Sequence, residues 1–300
     1  MSGKGLGHAG KCSSWRSWED EGVGPSPVDR TRVRGSVSMS RLKVTIGNAA
    51  IDNTTMAGAV ARIEKLIQRH RPSIVVTPNA DHIVLLQRDV ELLHAYQAAD
   101  LVLADGAPLL WAARFLNTPL REKISGSDLF PEVCRVAAEK AYRLFFIGGR
   151  PDSAMRTASG LRRSYRNIRI VGVHCPPFGF EHDEAENRKS IRLVQEAGPD
   201  VLFVGLGAPK QEKWIHKHYK ELGVPVCIGI GATFEFAGGI VKRAPKWMQT
   251  HGLEWFWRLT REPLRLWKRY LVDDMRFFWI VLQQKMDNRR RRPHPQGVTR

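Results

Sequence analysis

The chain has 300 residues, of which 43% are hydrophobic and 26% charged, usage that excludes collagen-like, mucin-like and wholly disordered chains. Lys and Arg number 47 against 30 Asp and Glu, a formal charge of +17, so the expected partners are polyanions: nucleic acid, anionic lipid or phosphorylated substrates. Residues 242–300 carry 15 Lys/Arg and 5 Asp/Glu, which is +10 of that total, and the basic character is therefore mostly C-terminal.

Residues 1–40 are rich in Gly, Ser, Arg and Pro without helical or strand periodicity, which predicts a disordered leader, with Met39 a candidate internal start. From Leu42 onward, short β-branched runs alternate with amphipathic stretches, the pattern of stacked βαβ units. Strands are expected at Lys43–Ile46, Ser73–Thr77, Leu101–Ala104, Arg143–Ile147, Ile168–Val173, Val201–Gly205 and Pro225–Gly229. Helices are expected near 54–70, 81–98, 107–116, 127–140, 152–163, 184–197 and 209–221. Runs such as Ile74-Val75-Val76 and Val201-Leu202-Phe203-Val204 are apolar on both faces and belong in a parallel sheet covered on both sides. From Trp247 to about Gln284 the texture changes to Trp, Arg and Leu at helical spacing, and a disordered, solvated basic tail is expected over 285–300. Cys12, Cys134, Cys175 and Cys227 have neither zinc-site spacing nor disulfide-scaffold density, which fits a reducing cytosol. No stretch approaches the roughly 18 uncharged apolar residues a membrane span requires.

In open parallel sheets, ligands bind beyond the carboxyl ends of the strands. The loops expected there are Thr77-Pro78-Asn79-Ala80-Asp81-His82, Ala104-Asp105-Gly106, Gly148-Gly149-Arg150, Gly205-Leu206-Gly207-Ala208-Pro209-Lys210-Gln211-Glu212 and Gly229-Ile230-Gly231-Ala232-Thr233. Glycines at 205 and 207 let a ligand approach the backbone, and Pro209 suits a first helical position, so this turn can present amides to a diphosphate or simply pack helix on sheet. Lys210 stands where a dinucleotide fingerprint needs a third small residue, and no G-x-x-x-x-G-K-[ST] occurs, so neither NAD nor P-loop binding is supported and no cofactor is expected. Asp105 follows an apolar strand and is either a helix N-cap or a carboxylate in a partly apolar setting suited to general-base work. Asn79 and Asp81 share the capping alternative. His82 reads as a packed or capping residue, Glu235 as the partner of a nearby Arg, Asp128 as a helix-start residue, and Lys123 as a phosphate partner.

Taken together, Thr77-Pro78-Asn79-Ala80-Asp81, Ala104-Asp105-Gly106, Ser125-Gly126-Ser127-Asp128-Leu129, Gly207 to Glu212, Gly231 to Phe234, Arg243-Ala244-Pro245, Trp247-Met248 and Gly252-Leu253-Glu254-Trp255 resemble the WecG/TagA/CpsF family, glycosyltransferase family 26, over about residues 42–284. The resemblance implies transfer of a hexose, typically N-acetylated, from a UDP-sugar to a polyprenyl-diphosphate-linked sugar, with inversion. It implies Asp105 as the base, Thr77 and Asn79 beside it, and Gln211 in the nucleotide-sugar pocket. Gly207, Lys210 and Glu212 belong to the same motif, and Arg258 and Arg265 match arginines that complete the site over the diphosphate. Lys123 stands where many members have Arg, keeping the charge but losing the two-pronged geometry.

The expected architecture is thus an α/β chain: a Rossmann-like, mostly parallel sheet with helices on both faces over residues 41–246, then a helical, basic, amphipathic appendage over 247–284. The expected partners are the UDP-sugar, the lipid-linked acceptor, the anionic inner face of the plasma membrane and a second copy of the chain. The absence of a D-x-D motif in the ordered region leads us to expect no metal requirement. The alternatives are a basic nucleic-acid-binding protein, weakened by the lack of any groove-reading motif, and a sugar-nucleotide epimerase or oxidoreductase, weakened by the broken fingerprint.

Overall fold

The computed structural model describes residues 43–245, 247–248, 254–261 and 274–290; the leader read over 1–40 lies outside them. Strands β3 (Ser73–Val76), β4 (Leu101–Val102), β5 (Arg143–Gly148), β6 (Arg169–His174), β7 (Val201–Gly205) and β8 (Val226–Gly229) form one sheet in the order β4-β3-β8-β7-β5-β6. Every pairing in it is parallel. Successive side chains point to opposite faces, and each face has its own core. Ile74, Val76, Leu202 and Val204 enter one; Val75, Val201 and Phe203 enter the other.

Helices α1 (Met56–Gln68), α5 (Gly126–Lys140), α6 (Ser153–Ser164) and α9 (Thr233–Ala237) supply the core containing Val75. Helices α2 (Ala80–Leu85), α3 (Val90–Gln97), α4 (Ala107–Phe115), α7 (Glu184–Ala197), α8 (Lys210–Leu222) and α11 (Asp274–Arg290) supply the core containing Ile74. One further helix, α10 (Glu254–Arg261), is described at the site.

The expected strand 43–46 is β1 (Lys43–Ile46), but it pairs antiparallel with a strand the periodicity did not predict, β2 (Ala49–Asp52), in a separate two-stranded sheet. Gly47-Asn48 between two alternating runs is the turn signal that could have shown it. Asp52, buried, fixes this hairpin to the main sheet: its Oδ2 accepts from the Val102 amide at 2.9 Å, and its Oδ1 pairs with Arg62 at 2.7 Å. The single helix expected over 81–98 is two, because Asp89 restarts the chain as an N-cap, its side chain accepting from Leu92 N at 3.0 Å. Pro209 is the N-cap of α8, one residue before the first helical position expected for it.

In the C-terminal region, Phe277 and Val281 of α11 are buried in the domain core. Gln284 accepts from Gly47 N and donates to Thr45 O, both at 2.9 Å. The helix continues through Arg290, past the boundary read at 284; residues 291–300 lie outside the described ones.

Candidate active site

The strand order brings β3 and β8 side by side, although the chain leaves β3 towards β4 on one flank and reaches β8 from β7 on the other. A crevice at such a switch point is where a doubly wound sheet binds its ligand. The loops there are tied together. Asp105 N donates to Pro78 O and Ile124 N to Ala104 O, both at 2.8 Å. Ser127 and Thr233 share a hydroxyl hydrogen bond of 3.2 Å. Gly126 opens α5 against β8's loop so closely that a Cβ would lie 3.2 Å from Ile230 Cα and 3.4 Å from the Thr77 hydroxyl, which is why this position suits glycine. Thr77 is buried at the centre of this junction.

Asp105 is not a helix cap. The cap of α4 is Gly106, at φ +98° and without a side-chain cap bond, and the Asp105 carboxylate has no hydrogen-bond partner among the described residues. Its pKa is raised to about 6, first by burial and then by the repulsion of Glu254 and Asp128, against the attraction of Lys123 and His82. A carboxylate so placed is ionised at neutral pH yet more basic than an ordinary aspartate.

Around it runs a chain of charges. Lys123 Nζ lies 3.3 Å from Asp128 Oδ2, Arg243 Nη2 2.8 Å from Asp128 Oδ1, and Arg243 Nε 3.1 Å from Glu254 Oε1 at the start of α10. Ser125 caps α5, accepting from Asp128 N at 3.1 Å and donating to its carboxylate at 2.6 Å. Burial opposes ionisation of Asp128, but Arg243 and Lys123 outweigh it and hold its pKa below the ordinary value. Arg243 and Glu254 were legible in the sequence only as members of a motif; no local pattern marked them as neighbours of Asp105. Glu235 has Arg150 at 4.0 Å, the kind of partner expected for it.

Asn79 is the N-cap of α2. Its Oδ1 accepts from His82 N at 3.2 Å while Asn79 N donates to His82 Nδ1 at 3.3 Å, a reciprocal capping box that gives His82 the capping role read from sequence. Beneath the rim, Gln211 and Glu212 are both buried. Gln211 Oε1 accepts from Gly231 N at 2.9 Å, Gln211 Nε2 donates to Glu212 Oε1 at 2.8 Å, and His82 Nε2 is 3.5 Å from that oxygen. Glu212, expected from the motif among the substrate-binding residues, is 1% exposed: the amphipathic period of α8 turns it towards the core, where it supports the loop from inside. Gln211 is likewise engaged within the protein at both ends of its amide. Lys210 points outward but pairs with Glu181 and stands 4.5 Å over the Phe178 ring. Gly207, at φ +77° with nothing within 4 Å of a Cβ position, keeps the turn open, and α8 begins without a side-chain cap. A helix start without a side-chain cap is the kind of helix end that can receive an anion. Arg258 falls in α10, but its side chain, like the whole of Arg265, lies outside the described residues.

The model of the glycosyl transferase WecG/TagA/CpsF family matches residues 44–291. The chain belongs to this family. It is 32% identical over 253 residues to the N-acetylglucosaminyldiphosphoundecaprenol N-acetyl-beta-D-mannosaminyltransferase of Bacillus subtilis (strain 168), covering 84% of this chain and 96% of that relative. Enzymes of the same name from Bacillus spizizenii (30% identical; 68% of this chain, 77% of the relative) and Staphylococcus aureus strain MW2 (28%; 76% and 86%) are also similar. This family member is thus a glycosyltransferase, and the match extends through α11. Among the described residues, no helix is long and apolar enough to cross a membrane.

Proposed function

We propose that this glycosyltransferase moves an N-acetylhexosamine, N-acetylmannosamine in the first instance, from its UDP-sugar to the N-acetylglucosamine of a polyprenyl diphosphate, with inversion, in cell-surface polymer synthesis. The observation that carries this reading is the Asp105 carboxylate: uncapped, ordinary in neither pKa nor setting, and placed at the switch point beside Thr77, Asn79 and Lys123. In the step proposed, an acceptor hydroxyl oxygen attacks the anomeric carbon while its proton passes to Asp105. The new C–O bond forms as the bond to UDP breaks, and the electron pair leaves with the diphosphate. General-base help of this kind is worth about 10²- to 10⁴-fold in rate.

Lys123 and the amides of the Gly207 turn are the groups proposed to neutralise the departing diphosphate, with Arg258 and Arg265 joining them, so that no divalent cation is required. Activity that survives EDTA supports this; activity lost in EDTA and restored by manganese overturns it. Gln211 and Glu212 are proposed to hold the nucleotide-sugar pocket in shape through their bonds to Gly231 N and to each other.

The lipid-linked acceptor calls for a membrane surface. α11 exposes Met275, Phe278, Trp279, Leu282 and Met286, and α4 exposes Trp111 and Phe115. Lys285 joins the two helices, donating to Phe115 O and lying 5.1 Å over its ring. Apolar side chains set among Arg276, Arg289 and Arg290 suit peripheral docking on the anionic inner leaflet, where each basic residue adds about 1 kcal/mol. Co-sedimentation with anionic but not zwitterionic vesicles supports docking, and sedimentation velocity reads self-association. The deciding assay combines radiolabelled UDP-N-acetylmannosamine with a polyprenyl-diphosphate-linked N-acetylglucosamine acceptor; no transfer to lipid by the full chain would remove the proposal.

A further inference from the structure

The charge chain beside Asp105 joins two parts of the molecule. Asp128 belongs to α5 of the sheet domain, Glu254 opens α10, and Arg243 lies between them with its side chain only 12% exposed. We propose that Arg243 is a positioning residue that grips Asp128 with one guanidinium nitrogen and Glu254 with another, latching α10 to the catalytic rim and setting the Glu254 charge beside Asp105. The proposal rests on the reading of Asp105 as the base.

Three observations support it. The first is geometric: Nε donates to Glu254 Oε1 at 3.1 Å while Nη2 makes an ion-pair contact with Asp128 Oδ1 at 2.8 Å, two directions that the single ammonium of a lysine does not reproduce. The second is a neighbouring stitch, since Trp257 Nε1 of α10 donates to Lys242 O at 3.2 Å, so the same helix is tied to the residue preceding Arg243. The third is the electrostatic consequence. Among the described residues, the charged or titratable groups acting on Asp105 are Glu254 from α10, Asp128 from α5, Lys123 from the loop before α5 and His82 from α2, and Tyr96 of α3 feels Asp105 in turn. After burial, Glu254 is the largest influence raising the Asp105 pKa. With α10 latched, Asp105 is a stronger base; with α10 released, the repulsion is gone and its pKa falls. Arg243 neutralises Glu254 and Asp128 enough to let three carboxylates share one rim, and this explains why its own pKa is raised despite burial. Closure of the site and strength of the base are thereby coupled through one side chain.

The test uses the full chain and the variants Glu254→Gln, Arg243→Gln and the pair together. Glu254→Gln removes a negative neighbour, so the acid limb of the kcat/KM profile should move to lower pH by roughly half a unit or more. Arg243→Gln leaves two carboxylates facing each other; transfer should fall at least about tenfold, and amide exchange across 254–261 should quicken. The double variant should be no worse than Arg243→Gln alone, because the repulsion is gone. A Glu254→Gln profile superimposed on wild type, or single effects that multiply in the double variant, would overturn the latch. Hydrogen exchange across 254–261 needs no turnover, so it reports on the latch even if Asp105→Asn proves active and the base assignment fails.

Discussion

α11 and α10 both follow the sheet domain, but different forces hold them. α11 buries Phe277 and Val281 in the domain core and plugs Gln284 into the β1–β2 turn. α10 is tied at its start by Glu254 to Arg243 and by Trp257 to the Lys242 carbonyl. Apolar burial is indifferent to salt and, over ordinary ranges, to pH, whereas a partly exposed ion pair weakens with both. The helix farther along the sequence is thus an integral part of the fold, and the nearer one, held by an ion pair and an indole hydrogen bond, is the one that salt can loosen. What a chain segment is worth depends on what it buries, not on how far it lies from the domain boundary.

The largest expected effect lies at the site. Asp105→Asn should lower transfer by about 10²- to 10⁴-fold, measured with the labelled donor and lipid-linked acceptor; wild-type turnover would remove Asp105 from the mechanism. In the wild type, kcat/KM should fall as pH drops through about 6, where Asp105 takes up its proton. Next comes α11: Phe277→Ala should cost about 3–5 kcal/mol of unfolding free energy, read by urea denaturation, and an unchanged midpoint would mean that α11 is not part of the core. Replacing Gln284 by Ala removes two hydrogen bonds to the hairpin and should cost about 1–2 kcal/mol. Raising NaCl to ~0.5 M, where the screening length is only a few ångströms, should speed amide exchange across α10 and leave α11 unchanged; equal responses would erase the contrast between the helices.

The smallest effect concerns stability at the site. Asp105 has a folded-state pKa above the unfolded value of about 3.8, so the native state holds its proton more tightly and stability falls as pH rises from about 4 through 6. Asp105→Asn should therefore melt higher than wild type at pH 7, with the difference closing near pH 4. Asp128 works in the opposite sense: its pKa is lowered, so its contribution is present above the unfolded value and lost as pH falls through the folded one.

The fold was legible because its signals are local. Doubly apolar runs such as Val201–Val204 can exist only between two layers of helix, and the Gly-rich loops after them mark one edge of a parallel sheet. Two features escaped for equally physical reasons. The β1–β2 hairpin is short enough for one strand to pass as loop, and the restart at Asp89 lies inside an apolar periodicity that continues across it.

By itself the sequence determined the class of sheet and the edge where its Gly-rich loops gather, and through its motifs it singled out Asp105 as the base proposed here. Tertiary structure alone decided which motif members are buried. Gln211 and Glu212 follow directly on Lys210 in sequence, yet the helical turn sends those two inward and leaves Lys210 partly exposed. It also decided that Asp128, Arg243 and Glu254 meet, because charge pairing across more than a hundred residues leaves no trace in local pattern, and a pKa depends on distances that only the folded chain defines.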